Sequence, residues 1–206
     1  MKTPRSDAHA LFVQEAVADF GSTASAFPSS RYLARAMAEP LRLERAATVA
    51  ELGPGTGAIT QTLLGEMPAG STLIAFETNS RFCAYLRKYL PDPRLELVHA
   101  GAETLHEHLQ EMECAGLDAV VSSLSFAFLY EAQRHAILDG VAANMARGAV
   151  FTQYQYLSTW WADSLRQNVQ RRRLSLDRLL HQHFRTVDTE VVWRNLPPAV
   201  VFTCRL

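Results

Sequence analysis

The chain has 206 residues, 48% of them hydrophobic and 20% charged, with a net charge of −1. That is enough for one domain with a full core, and the balanced charge demands no nucleic-acid partner. No apolar run approaches the roughly 20 residues that cross a bilayer, and the three scattered cysteines, with no CxxC, point to neither a disulfide framework nor a zinc ribbon. The N-terminus lacks a signal-peptide core, so the expectation is a cytoplasmic protein whose membrane contact, if any, is peripheral and at the inner face.

In chain order, "SDAHALFVQEAVADF" has the broad apolar stripe of an amphipathic helix. After the break "GSTASAFP", Ser29 or Ser30 caps a second helix, "RYLARAMAE", which Pro40 stops. From residue 47 the rhythm changes. Five short apolar runs, "ATVAEL", "STLIAFE", "RLELVH", "LDAVVSSL" and "GAVFTQYQY", alternate with helical stretches. Such alternation predicts right-handed βαβ units and a parallel sheet covered on both faces. A polar helical stretch, Trp160 to His183, then precedes "TEVVWRN" and "AVVFTCRL", two strands joined by a short proline-containing turn. The expected fold is α/β, a Rossmann-like seven-stranded sheet of five parallel strands plus a C-terminal antiparallel hairpin. Residues 1–45 form an N-terminal helical cap, and residues 46–206 form a single catalytic unit.

The densest motif is "ELGPGTG", Glu51 to Gly57. Glycines at 53, 55 and 57 let the backbone take positive φ and approach a ligand, and the helix that follows aims free N–H groups at it. Two cofactors suit such a turn. Gly53-x-Gly55-x-x-Ala58 can be laid on the dinucleotide fingerprint, and acid-x-Gly-x-Gly-x-Gly is the turn that holds S-adenosylmethionine. Glu51 favours the second, because a carboxylate repels a pyrophosphate and attracts the ammonium of S-adenosylmethionine. The terminal hairpin favours it too, being habitual in methyltransferases. Glu77, at the end of the second strand, has the spacing of an acid that takes both ribose hydroxyls in either cofactor.

Three stretches carry a narrower resemblance. "FPSSRYLARAMAE", "VAELGPGTGAITQTLL" and "VWRNLPPAVVFTCR" are similar to those of bacterial phospholipid N-methyltransferases, which methylate phosphatidylethanolamine, and of their ornithine-lipid relatives. Ribosomal RNA adenine dimethyltransferases share the architecture. The resemblance implies a cofactor site made of Ser29, Ser30, Glu51, Gly53, Gly55, Thr56, Gly57, Glu77, Thr78, Asn79, Ala102, Glu103 and Ser122. Where that family carries an Asp against the adenine amino group, this chain has Gly101, with Glu103 two residues on. After strand four, RNA enzymes carry Asn-Leu-Pro-aromatic, and this chain has Ser123, Leu124, Ser125 and Phe126.

Methyl transfer is an in-line displacement that needs a neutral, well-aimed amine. Ser123 and Ser125, with nearby carbonyls, can accept its N–H bonds, and the ring of Tyr156 can favour the developing ammonium. These three are the catalytic candidates. Phe126, Tyr130 and Arg194 are the substrate-binding candidates, Arg194 for a headgroup phosphate. Phe128 and Tyr154 are expected in the core. Alternation puts Tyr154 and Tyr156 on one face of strand five, opposite Gln153 and Gln155. "QRRRLSLDRLLHQHF" carries four arginines that suit an anionic membrane surface or simply a solvated helix face. His106/His108 and His181/His183 are spaced i, i+2, which on a helix points each pair to nearly opposite sides, so no metal is expected. The predicted activity is methylation of an amine, foremost on a phospholipid headgroup. The alternatives are a soluble small molecule, RNA adenine, or cofactor binding without turnover. No nucleic-acid partner is expected.

Overall fold

The computed structural model describes residues 29–157 and 176–206. The expected first helix, and the expected helical stretch from Trp160 as far as residue 175, lie outside the described residues. Six α-helices and seven strands are described. They are α1 (Arg31–Ala38), β1 (Thr48–Leu52), α2 (Ala58–Glu66), β2 (Thr72–Phe76), α3 (Ser80–Tyr89), β3 (Leu95–Val98), α4 (Leu105–Glu111), β4 (Leu117–Ser122), α5 (Glu131–Asn144), β5 (Met145–Tyr156), α6 (Leu176–His183), β6 (Thr186–Val192) and β7 (Ala199–Arg205). The strands form one sheet in the order β3-β2-β1-β4-β5-β7-β6. β1 to β5 are parallel, and β7 runs antiparallel to both β5 and β6. The seven-stranded α/β expectation therefore holds.

Alternation along the strands sorts side chains between two apolar layers. Ala50, Leu52, Ile74, Phe76 and Phe151 pack with α4, α5 and α6 through Leu105, Leu109, Ile137, Leu138 and Leu180. Val49, Leu73, Val121 and Val201 pack with α1 and α2 through Leu33, Met37, Ile59 and Leu63. A helix of eight residues is marginal alone in water. α1 persists because Leu33, Ala34, Met37 and Ala38 are buried, each large apolar side chain contributing about 1.5–3 kcal/mol. It ends at Ala38, and Pro40 lies in the 3-10 turn Glu39–Leu41, as proline's missing N–H dictates.

Two boundaries differ from expectation. β5 begins at Met145 rather than Gly148, and its pairing with β4 shifts register between Leu117 and Ala119. Gly148 sits there at φ 85°, so the strand runs on through an irregularity that periodicity reads as an end. β6 spans Thr186–Val192, three residues earlier than "TEVVWRN" suggested. Trp193 to Pro198 form the connection instead. Asn195 organises it, accepting the Ser30 N–H at 3.0 Å and donating to the Pro197 carbonyl at 2.7 Å. The turn thus reaches the carboxyl edge of the parallel strands, where the loops after β1, β2, β3 and β4 also meet.

Candidate active site

Gly53, Gly55 and Gly57 have φ of 76°, 56° and 81°, a region that other residues enter only with strain. Space demands glycine as well. A Cβ on Gly53 would lie 2.8 Å from Leu124 Cδ2, and one on Gly57 would lie 2.7 Å from Leu86 Cδ2. The first contact ties the glycine turn to the loop after β4. Gly57 caps α2 with no side-chain acceptor, which leaves the amides of the helix start to other partners. Thr56 is buried beside it.

Two carboxylates flank this cradle. Glu77 accepts the Gly55 N–H at 3.0 Å through one oxygen and the Asn79 N–H at 2.8 Å through the other. Burial raises its pKa, opposed by those amides and that of Thr78. Asn79 in turn caps α3, accepting from the amides of Arg81 and Phe82. Glu51 is fully buried, and neither of its oxygens has a hydrogen-bond partner. Burial pushes it up to about 8; the Thr60 hydroxyl and amide pull it down in part without completing a bond, and the charge of Glu77 adds to the rise. A buried, unpartnered carboxylate is costly in isolation. Its place beside a glycine cradle suits a ligand that brings a cation.

Further along the edge, Ala102 is buried in the turn after β3, and the carboxylate of exposed Glu103 folds back over Gly101. A Cβ on residue 101 would lie 2.5 Å from Glu103 Cδ, so Glu103 fills the space that a side chain at 101 would take.

The loop after β4 forms a cleft with the end of β5. Ser123, Leu124, Ser125, Phe126, Ala127, Phe128, Tyr154, Gln155, Tyr156 and Leu176 line it. The structure therefore brings the three catalytic candidates, Ser123, Ser125 and Tyr156, together with Phe126. Ser122 is buried beneath them and accepts the Leu124 N–H at 3.3 Å. Tyr154 and Tyr156 share a face, with ring centroids 5.6 Å apart. Tyr154 packs against the core layer under α1, as expected, and also lines the cleft. Its phenol is held protonated by burial and by Tyr156, against a hydrogen bond with Ser29. Phe128, expected in the core, is half exposed. The chain turns there through a short 3-10 segment whose buried ring is Phe126 instead.

Tyr130 and Arg194 do not line the cleft. Tyr130 precedes α5 at the outer rim. Arg194 stacks on the Tyr32 ring at 4.0 Å, and Arg31 donates to the Tyr32 hydroxyl at 2.8 Å. The two arginines together lower the Tyr32 pKa, Arg31 through that bond and Arg194 through its charge. Ser30 caps α1 through its side chain, accepting from the Leu33 amide. The histidine pairs diverge as their spacing implies: His106 meets Asn144 and Gln110, whereas His108 stacks edge-on to Phe76.

Sequence reasoning missed Gln153 and Asn195. Gln153 is fully buried, donates to the carbonyls of Leu124 at 2.9 Å and Tyr154 at 2.6 Å, and leaves its own Oε1 unpartnered. The signal was a glutamine inside an apolar strand run, which burial makes expensive unless it holds something in place.

The comparisons agree with this geometry. A family model described as ribosomal RNA adenine dimethylase matches residues 22–112. The chain is 28% identical over 184 residues, 88% of each chain, to an ornithine lipid N-methyltransferase of Singulisphaera acidiphila. Among solved structures it is similar to the O-methyltransferase TomG of Streptomyces achromogenes in complex with S-adenosylmethionine, with a TM-score of 0.69 at 15% identity, covering 97% of this chain and 90% of that one. It is likewise similar to an O-methyltransferase of Bacillus cereus in complex with S-adenosylhomocysteine, with a TM-score of 0.69 at 12% identity, covering 97% and 91%. Together with the sheet order and the glycine turn, these findings define the class. The protein is a seven-stranded S-adenosylmethionine-dependent methyltransferase.

Proposed function

We propose that the protein methylates the amine of a lipid headgroup, of the ornithine-lipid or phosphatidylethanolamine kind. The observation that carries this reading is the cleft lining: serine hydroxyls, aromatic rings and apolar side chains, with no charged group among the described residues. An amine attacks only when neutral. A lining that carries no carboxylate among the described residues disfavours the ammonium by desolvation and so favours the free base. Ser123 and Ser125 accept the amine's N–H bonds and aim its lone pair; Tyr156 and Phe126 offer π faces to the cation as it forms. Gln153 is a positioning residue that fixes the Leu124 carbonyl and with it the loop. The likeness to the ornithine lipid enzyme extends over 88% of both chains, the acceptor half included.

The residues present suit the cofactor. In this reading Glu51 receives its ammonium, the amides of the turn from Gly53 to Gly57 lie against it, and Glu77 holds its ribose. Thr56, Thr78, Asn79, Ala102, Glu103 and Ser122 line the rest, with Ser29 and Ser30 closing from the α1 side. The cofactor supplies an electrophilic methyl group on a sulfonium. The chain's task is to orient the acceptor and keep water out. Residues 1–45 are proposed as a cap on a catalytic unit of residues 46–206. The RNA reading is weaker, because the family-model match stops at residue 112, short of the acceptor loop, and that loop has serine at both 123 and 125.

Mass spectrometry of lipid extracts after incubation with methyl-labelled cofactor tests the proposal. Label on an aminolipid supports it; label confined to RNA or to soluble amines refutes it. Within it, Ser123→Ala is expected to lower kcat about tenfold, one hydrogen bond's worth of about 1.4 kcal/mol, while S-adenosylhomocysteine affinity stays within twofold. An unchanged kcat would remove Ser123 from the mechanism.

A further inference from the structure

Among the described residues five large apolar or aromatic side chains are exposed: Phe128, Tyr130, Trp193, Leu196 and Leu206. Leu206 ends the chain, past β7. The other four gather at the carboxyl edge of the parallel strands. Phe128 and Tyr130 stand on the loop after β4. Trp193 and Leu196 stand on the β6–β7 connection, which reaches this edge because Ala199, the first residue of β7, pairs with Tyr156, the last of β5. Their exposures are 52%, 82%, 66% and 79%. Single exposed hydrophobic residues are ordinary, but four around one cleft mouth form a surface that favours contact.

The backbone presenting them is held firmly. Asn195 is buried and bonded to Ser30 and Pro197, and the Leu157 N–H donates to the Pro198 carbonyl at 2.8 Å. On the other side, buried Arg134 donates to the carbonyls of Leu129 and Ala127, and the Tyr130 N–H donates to Gln133. On the Trp193 side, among the described residues, the exposed guanidinium groups of Arg31 and Arg194 gather on Tyr32. Arg134 is buried against its carbonyls, and the exposed carboxylates of Glu103 and Glu131 stand on other loops of the edge. Indole, phenol and leucine beside guanidinium groups suit the boundary between headgroups and acyl chains, where amphipathic rings settle and anionic lipids attract arginine. A second copy of the chain would set these arginines against one another.

We propose that this rim, Trp193 and Leu196 with Phe128 and Tyr130, docks the enzyme on an anionic bilayer so that the cleft opens onto the headgroup layer. The proposal rests on the lipid reading above and adds the surface by which the substrate is reached. It is tested by flotation of the full chain with vesicles of phosphatidylcholine alone or mixed with phosphatidylglycerol. Trp193→Ala/Leu196→Ser is the probing variant, since neither residue lies in the cleft or the cofactor cradle.

The wild type is expected to float with the anionic vesicles. The variant is expected to bind them at least tenfold more weakly while keeping S-adenosylhomocysteine affinity, thermal midpoint and methylation of detergent-solubilised aminolipid. Vesicle binding unchanged by the double substitution, with lipid methylation intact, overturns the rim and leaves the lipid reading standing. Trp193-dependent vesicle binding with no lipid methylated in any form overturns the lipid reading and still supports the rim as a bilayer contact. Trp193-dependent retention on single-stranded RNA, with no vesicle binding, overturns the docking proposal.

Discussion

Glu51→Gln is expected to make the ligand-free protein more heat-stable and at the same time to abolish its affinity for S-adenosylhomocysteine. Glu51 is fully buried with no partner for either oxygen, and its pKa rises from 4.5 to about 8, chiefly by burial. The folded state therefore holds a proton that the unfolded chain has already lost above pH 4.5. Folded protein binds more protons than unfolded between pH 4.5 and 8, so this residue makes stability fall as pH rises through that window, after which the deficit stays constant. Each tenfold in proton affinity is worth about 1.4 kcal/mol, which places the deficit on the order of a few kcal/mol at pH 8 and above. Glutamine has the same shape and no charge to bury. Its advantage in thermal midpoint should grow between pH 6 and 8 and then level off, reaching several degrees for a chain of this size.

Binding moves the other way. The proposed partner of the carboxylate is the ligand's ammonium, so wild-type binding below pH 8 should release a proton, visible by calorimetry in buffers of different ionisation enthalpy. Glutamine can neither release it nor attract the cation. Retained affinity in Glu51→Gln, or a midpoint advantage that does not depend on pH, would show that Glu51 does not face the cofactor.

The second large effect is at Glu77. Alanine there should lower S-adenosylhomocysteine affinity at least a hundredfold and reduce the thermal midpoint by several degrees, with far-UV circular dichroism unchanged. The destabilisation follows from the two backbone amides, Gly55 and Asn79, that the carboxylate accepts at 3.0 and 2.8 Å. Hydrogen bonds to a charged group contribute about 1.5–3 kcal/mol each, and their loss loosens the glycine turn as well as the ribose clamp. The core layers lie elsewhere, so the fold survives. Glu77→Gln keeps one acceptor oxygen and should fall between wild type and alanine in both measurements. Calorimetric affinity equal to wild type in the alanine variant would remove Glu77 from the cofactor site.

The glycine turn was legible before any coordinates because its requirements are local. Positive φ at Gly53, Gly55 and Gly57, and an acid at the end of each of two strands, are written in adjacent residues. The cleft was legible in part. Ser123, Ser125 and Tyr156 could be grouped because loops after parallel strands meet at one edge, but the expected burial of Phe126, at the substrate, and Phe128, in the core, came out reversed. Which ring turns inward depends on a 3-10 segment whose geometry is set by buried Arg134, far enough along the chain to leave no periodic trace.

The sequence by itself determined the layer order, the cofactor turn and the alternation that pairs Tyr154 with Tyr156, since each follows from spacing within a single element or one βα unit. Only the tertiary structure decided that Glu51 stands without a partner, that Gln153 grips the Leu124 carbonyl, and that Asn195 carries Trp193 and Leu196 to the cleft mouth. Those facts rest on contacts between residues distant in the chain, where burial and hydrogen-bond geometry, not local pattern, fix the outcome.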